Sequence, residues 1–415
     1  MTIHALLNEQ NIDRAKKLLL ISLYGLLITI GIHKGVKTTL YTSGILGALL
    51  LGYTLYKSHV SSIPKYFALP IAFFLYVLIS PGTFFIDARL AGRFACAFFA
   101  GCALFYFFQK DLKKVLLSQS AAFLITLILG ASYAALFAPE MFINRLQLSY
   151  GNPHRLATNG AFALILFTTF FDTFSSKKRP LLYGIVVLIA TAILLTVSRS
   201  TFLGLMFAGI GYILFYRAKH ILKILAITVI VGSVLGTLCF SVLSTTQKQR
   251  VIDPLTAPLH DHTIKQRMAI WYTAIEGIKE APVLGHALRG YSDFDDVYKG
   301  KHYDEMVRKN LLVEKKRWSH PHSLYLGSVF GWGIVGTILL ILAFTPALKH
   351  STGRVRLFLI LMTCFNLGYG VTELRITSDD GAFFVFFPLG VAYGSILLTY
   401  CTKGKDSQQL KVKPA

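Results

Sequence analysis

The stretch "LLYGIVVLIATAILLTVSRSTFLGLMFAGIGYILFY", Leu181 to Tyr216, is apolar throughout except for "SRS" at Ser198–Ser200. As one helix, these roughly 36 residues would reach about 54 Å, against a hydrocarbon layer of about 30 Å. Two short spans joined by a tight hairpin at Arg199 fit that thickness. Similar apolar runs recur along the whole chain. Its 415 residues are 54% hydrophobic and only 15% charged, with a mean hydropathy of +0.57. Length alone would allow two or three soluble domains, but this composition excludes them. The expectation is an all-α, polytopic membrane protein.

Apolar runs between polar breaks predict about twelve spans, at 18–33, 38–56, 65–81, 90–108, 115–137, 156–174, 180–197, 200–216, 221–243, 322–347, 355–371 and 382–401. Arg14, Lys16 and Lys17 precede the first run, but no small-x-small cleavage pattern follows, so the first helix is expected to remain as an anchor. Cys96, Cys102, Cys239, Cys364 and Cys401 fall within or at the ends of spans. They lack CxxC spacing, so neither a disulfide framework nor a zinc site is inferred.

The formal charge of +22 raises the question of nucleic acid, and its placement answers it. Half of the 42 Lys and Arg residues sit at the N-terminus, in alternate loops such as "SSKKRP" and "KHSTGRVR", and in the tail. That asymmetry is an orientation signal beside anionic lipid headgroups, so a nucleic-acid partner is excluded and membrane lipids are expected. It predicts cytoplasmic termini and a periplasmic loop at 244–320. The predicted organisation is 1–243 with nine spans, 244–320 as the large loop, and 321–415 with three spans and a cytoplasmic tail. Within the loop, Met268, Trp271, Ile275 and Ile278 recur at helical spacing, which predicts a short amphipathic helix over 263–282.

Arginines on the loop side are those that orientation does not explain: Arg89 and Arg93 one helical turn apart, Arg199, Arg267, Arg289 and Arg375. Each either snorkels to headgroups and pairs with an acid such as Asp87, Glu373 or Asp379, or joins others around a phosphate-rich ligand. The loop ends in "KRWSHPHSLYLGSVFGWGIVG", Lys316 to Gly336. Pro321 suits the first position of the tenth span, with Ser319 or His320 as cap. His322 would then lie in the first turn, where the positive helix end and cationic neighbours disfavour imidazolium. A neutral ring there is either an interfacial histidine bonded to a loop carbonyl or a general base. The two histidines of "HPH" lack a third ligand at usual spacing, so no metal is assigned.

These motifs resemble the O-antigen ligases, within a superfamily that also holds O-antigen polymerases and protein O-oligosaccharyltransferases. His322-Ser323 followed by nine residues and "GIVG" is similar to that family's pattern, as are "RMAIW" from Arg267 to Trp271, "APVLGHALRGY" from Ala281 to Tyr291, and "SRS" at the hairpin. The resemblance implies a glycosyltransferase of the bacterial inner membrane with its site facing the periplasm. Donor and acceptor would be O-antigen on undecaprenyl pyrophosphate and the lipid A–core oligosaccharide, in lipopolysaccharide biosynthesis. It implies metal-independent, inverting transfer without a cofactor. It also implies His322 as base and Arg199, Arg267 and Arg289 on the donor pyrophosphate. Arg89 and Arg93 join that set by topology, and His320, Arg375 and Trp271 are supporting candidates. An O-antigen polymerase, a protein O-oligosaccharyltransferase and a lipid-linked sugar transporter stay open as alternatives. Charges that avoid mid-span positions, and no evident inverted repeat or broken-helix pair, speak against the transporter.

Overall fold

The computed structural model describes residues 9–32, 35–57, 65–79, 87–137, 152–216, 262–309, 311, 318–374 and 376–411, with isolated positions between 233 and 256. Among them the chain is all-α. Its helices are α1 (Glu9–Ile32), α2 (Val36–Lys57), α3 (Ala68–Ile79), α4 (Ala88–Phe108), α5 (Leu112–Phe137), α6 (Pro153–Phe170), α7 (Arg179–Leu195) and α8 (Arg199–Tyr216). After them come α9 (His262–Glu280), α10 (Tyr291–Arg308), α11 (Leu324–His350), α12 (Gly353–Tyr369) and α13 (Asp379–Lys411). Eleven of the predicted spans are helices, α1–α8 and α11–α13, and the ninth, 221–243, lies largely outside the described residues. Nine of these helices are long and apolar enough to cross a membrane. The chain is a multi-pass membrane protein.

The hairpin falls where the sequence puts it. α7 ends at Leu195 and α8 begins at Arg199. Outward-facing residues such as Leu49, Leu129, Ile210 and Ile341 remain exposed, as a lipid-facing belt requires. Inside, helices approach through small residues, because lipid supplies no hydrophobic drive between spans. α4 and α13 touch backbone to backbone at Gly390, where a Cβ would collide with the Phe98 carbonyl.

α11 is broken within the tenth predicted span. Gly333 takes φ 61° and ψ −171° in mid-helix. The segment 282–287 enters the gap. Ile334 N–H donates to the Pro282 carbonyl at 2.9 Å and Val335 N–H to Val283 at 3.2 Å. In return His286 and Ala287 donate to the carbonyls of Phe330 and Gly331 at 2.8 and 2.9 Å. The break thus exposes few unsatisfied backbone groups, the condition under which non-helical backbone is tolerated at membrane depth. The residue at 333 must be glycine, since a Cβ would strike the Val283 carbonyl. Just before it, Trp332 is fully buried against Phe73 and Phe94, edge to face at 5.4 and 5.9 Å. Below the break about 17 residues remain, a length of about 25 Å, which matches the 17-residue α12 beside it.

The loop helix α9 exists as predicted, and its packed face is Ala269, Ile270, Thr273, Ala274 and Gly277. The apolar stripe Met268, Trp271, Ile275 and Ile278 is exposed or half-buried. Small residues win because Gly277 lies directly under the Phe330 ring, where a larger side chain has no room.

Candidate active site

One short connection, residues 370–378 between α12 and α13, gathers the polar groups of the loop face. Thr372 Oγ donates to Ser200 Oγ at 3.0 Å, which brings in the α7–α8 hairpin one residue from Arg199. Glu373 follows, with only 11% of its side chain exposed. Its Oε1 accepts from Arg267 Nη2 of α9 at 2.6 Å, and its Oε2 lies 3.4 Å from His322 Nδ1. Asp379, at the start of α13, pairs with Arg93 Nε of α4 at 2.6 Å, and Arg93 also donates to the Thr377 carbonyl. Four helices are therefore tied to one turn.

His322 is not in a helix, which corrects the expected cap. α11 starts at Leu324, with Ser323 extended (φ −152°) as its N-cap and Ser323 Oγ accepting from Leu326 N–H at 3.5 Å. The helix begins there because Leu324 N–H is given to the Gly370 carbonyl at 2.7 Å. Pro321 and His322 stay in the approach, and His322 takes φ 50°. Its electrostatic setting also differs from the expectation. The group facing Nδ1 is the Glu373 carboxylate rather than a set of cations. A carboxylate there favours the proton on Nδ1, which puts the lone pair on Nε2.

His320 stacks beside it at 4.2 Å between ring centres, and its Nδ1 accepts from His322 N–H at 3.3 Å. Burial, then the His322 charge, pull its pKa down to about 4 against an opposing pull from Glu373, so His320 is neutral at physiological pH. Burial would raise the Glu373 carboxyl, but the His322 imidazole and the His154 and Arg267 charges outweigh it and hold the pKa at about 2. Glu373 is therefore ionised.

His154 is a group the sequence reading missed. Asn152 caps α6 by accepting from His154 N–H at 2.8 Å, Pro153 is in the first turn, and His154 Nδ1 meets Ser198 Oγ at 2.9 Å. Its signal was "NPH" at 152–154, a proline then a histidine at a helix start, the same grammar as "HPH". In the sequence Glu373 stands out as a counter-ion for the loop-side arginines, and the structure adds its contact with His322.

The structure brings Arg267, His320, His322 and the Arg199 hairpin together, with Trp271 one helical turn from Arg267. Arg93 sits beside them, paired with Asp379 as Arg267 is with Glu373, and Arg89 is exposed at the start of α4. Arg289 lies in a turn fixed by Leu288 N–H donating to Asp87 Oδ2 at 2.8 Å. Its side chain, and all of Arg375, lie outside the described residues.

Backbone strain marks the same face. Val197, Ala287 and His322, with φ of 50°, 60° and 50°, are the non-glycine residues at positive φ among the described residues. Each such conformation costs about 1–3 kcal/mol, and strain of this kind clusters at functional sites. One lies in the hairpin, one two residues before Arg289, and one is the candidate base. The cavity beneath Glu373, lined by Thr158, Asn366, Tyr369 and Phe384, is about 20 Å³, room for about one water. A ligand larger than water must be met at the open face.

Residues 184–341, which carry the hairpin, α9 and the broken α11, match the sequence model of a family described as O-antigen ligase. An uncharacterized protein of Haemophilus influenzae (strain ATCC 51907 / DSM 11121 / KW20 / Rd) is 27% identical over 194 residues, 44% of this chain. The chain spans less than half of that relative, 45% of its length. Glu373 and His154 lie outside the matched segment, and Arg199, Arg267, Arg289, His320 and His322 lie within it. Through that segment, the chain is similar to the O-antigen ligase family.

Proposed function

We propose that the protein transfers O-antigen polysaccharide from undecaprenyl pyrophosphate to a sugar hydroxyl of lipid A–core oligosaccharide, at the periplasmic face of the inner membrane. The observation that carries this reading is the Arg267–Glu373–His322 chain of contacts beside the Arg199 hairpin. His322 Nε2 takes the proton of the acceptor hydroxyl as its oxygen bonds to the anomeric carbon of the donor sugar. The bond from that carbon to the pyrophosphate oxygen breaks, and the proton passes on to solvent. Charge develops on the departing pyrophosphate, where the guanidinium forks of Arg199 and Arg267 offer paired donors. Attack opposite the leaving group inverts the anomeric centre. Glu373 positions both the base and Arg267. The basic residues gathered on the other face support the periplasmic orientation.

An O-antigen polymerase would use the same donor and groups with a second lipid-linked chain as acceptor. Deleting the gene and resolving lipopolysaccharide on a gel separates the two. Loss of a ligase leaves bare core with polymer on its carrier lipid. Core bearing a single repeat would assign the protein as a polymerase instead.

A further inference from the structure

The three faces of α9 do not have the pattern of a helix standing in water. Small residues from Ala269 to Gly277 pack inward, and Lys265, Glu276 and Lys279 occupy a second face, where Glu276 and Lys279 pair at 2.6 Å. Met268, Trp271, Ile275 and Ile278 form a third. Met268 and Ile275 are 38% and 42% exposed, Trp271 is half-buried, and Ile278 leans on the Phe330 cluster.

The chain leaving α9 shows what covers that third face. Ala281 and Gly285 continue the helical hydrogen bonds, and Pro282 and Val283 then bind the start of the lower half of α11. At this junction Val283 and Leu284 are 55% and 42% exposed, beside Ile334 at 51%. Ile338 and Ile341 carry the exposed apolar surface down a helix that crosses the membrane. The end of α9 is thus fixed beside the start of the lower half of α11, whose roughly 25 Å is close to the thickness of the hydrocarbon. Apolar surface runs from the spanning helix through Val283 and Leu284 to the stripe. A helix with an apolar stripe beside a lysine-bearing face has the composition of one lying in the bilayer interface.

We propose that α9 is an interfacial membrane helix, its Met268–Trp271–Ile275–Ile278 stripe sunk among the acyl chains of the leaflet on the loop side. Lys265 and Lys279 flank the stripe and reach the phosphate level. Arg267 borders it, so its guanidinium lies at headgroup depth, where a phosphate on a lipid anchor arrives without lifting its tail. This placement is independent of which transfer reaction the site performs.

Spin labels at Ile275→Cys and Lys279→Cys test it, in a variant lacking native cysteines and reconstituted in nanodiscs. The label at 275 should collide with oxygen and be shielded from a water-soluble nickel chelate, and the label at 279 should show the reverse. Equal access of the chelate to both would show that the stripe faces water. Shielding of 275 from both reagents would show protein over it, such as a second copy. Either result overturns the proposal. If the cysteine-free background fails to fold, Ile275→Trp in the native background serves. Its added fluorescence should be quenched by lipids brominated near the headgroup end of the acyl chain, and an unquenched increment also overturns it.

Discussion

Arg267 Nη2 and Glu373 Oε1 meet at 2.6 Å, joining the loop helix to the turn between the last two spans. The side chains are 16% and 11% exposed, so removing one leaves a largely buried charge without its partner. At a fully buried pair that costs about 3–5 kcal/mol, an upper bound here. Glu373→Gln and Arg267→Met should each lower the melting temperature of the purified protein. The double variant should melt higher than the summed losses predict, because neither charge remains. Strictly additive losses would show that the two act separately.

Transfer should depend on His322 far more than on His320. His322→Asn keeps a side chain that tolerates the left-handed backbone and removes the proton acceptor. Its transfer rate should fall about a hundred- to ten-thousand-fold, while the protein stays folded in the membrane. His320→Asn should retain measurable transfer. A purified His322→Asn protein working at near the native rate would move the base elsewhere.

Stability should fall on acidification in two windows. His320 has a folded pKa of about 4, below its ordinary 6.5, so its contribution is present above 6.5 and is lost as pH falls toward 4. Glu373 is depressed from 4.5 to about 2, so its contribution is lost as pH falls from about 4.5 toward 2. Melting temperatures measured from pH 8 to 4 should decline mainly below 6.5, and His320→Asn should flatten the upper part of that decline. A flat profile in the native protein would contradict the buried, neutral His320.

Gly333→Ala should prevent correct assembly of α11, because a Cβ at φ 61° collides with the Val283 carbonyl. The comparison is Gly52→Ala, where nothing lies within 4 Å of the added atom. Gly52→Ala should match the native protein in yield and in monodispersity on size exclusion, and Gly333→Ala should lose both. Equal behaviour of the two would mean that 282–287 does not occupy the break.

The spans were legible because bilayer thickness sets length directly, as the hairpin inside Leu181–Tyr216 shows. The conformation of His322 was not, since the helix start is decided by the Gly370 carbonyl, 46 residues away in the chain. Periodicity located α9 but not what covers its apolar stripe, because such a stripe reads alike whether protein or lipid covers it. Arg267, His320 and His322 were found through motif order. Glu373 and His154 gained their place only when the fold brought the 370–378 turn against the α6 start and the hairpin.

The break at Gly333 bears on how the protein is made. As it leaves the ribosome, Leu324–His350 is a strongly apolar segment that the translocon would release into lipid as one straight rod. The rod can bend only once 282–287, synthesised about 50 residues earlier, is at hand to accept from Ile334 and Val335 and to donate to Phe330 and Gly331. A chimera that exchanges the loop between relatives must carry both sides of the joint, 281–287 and 330–336, as one graft.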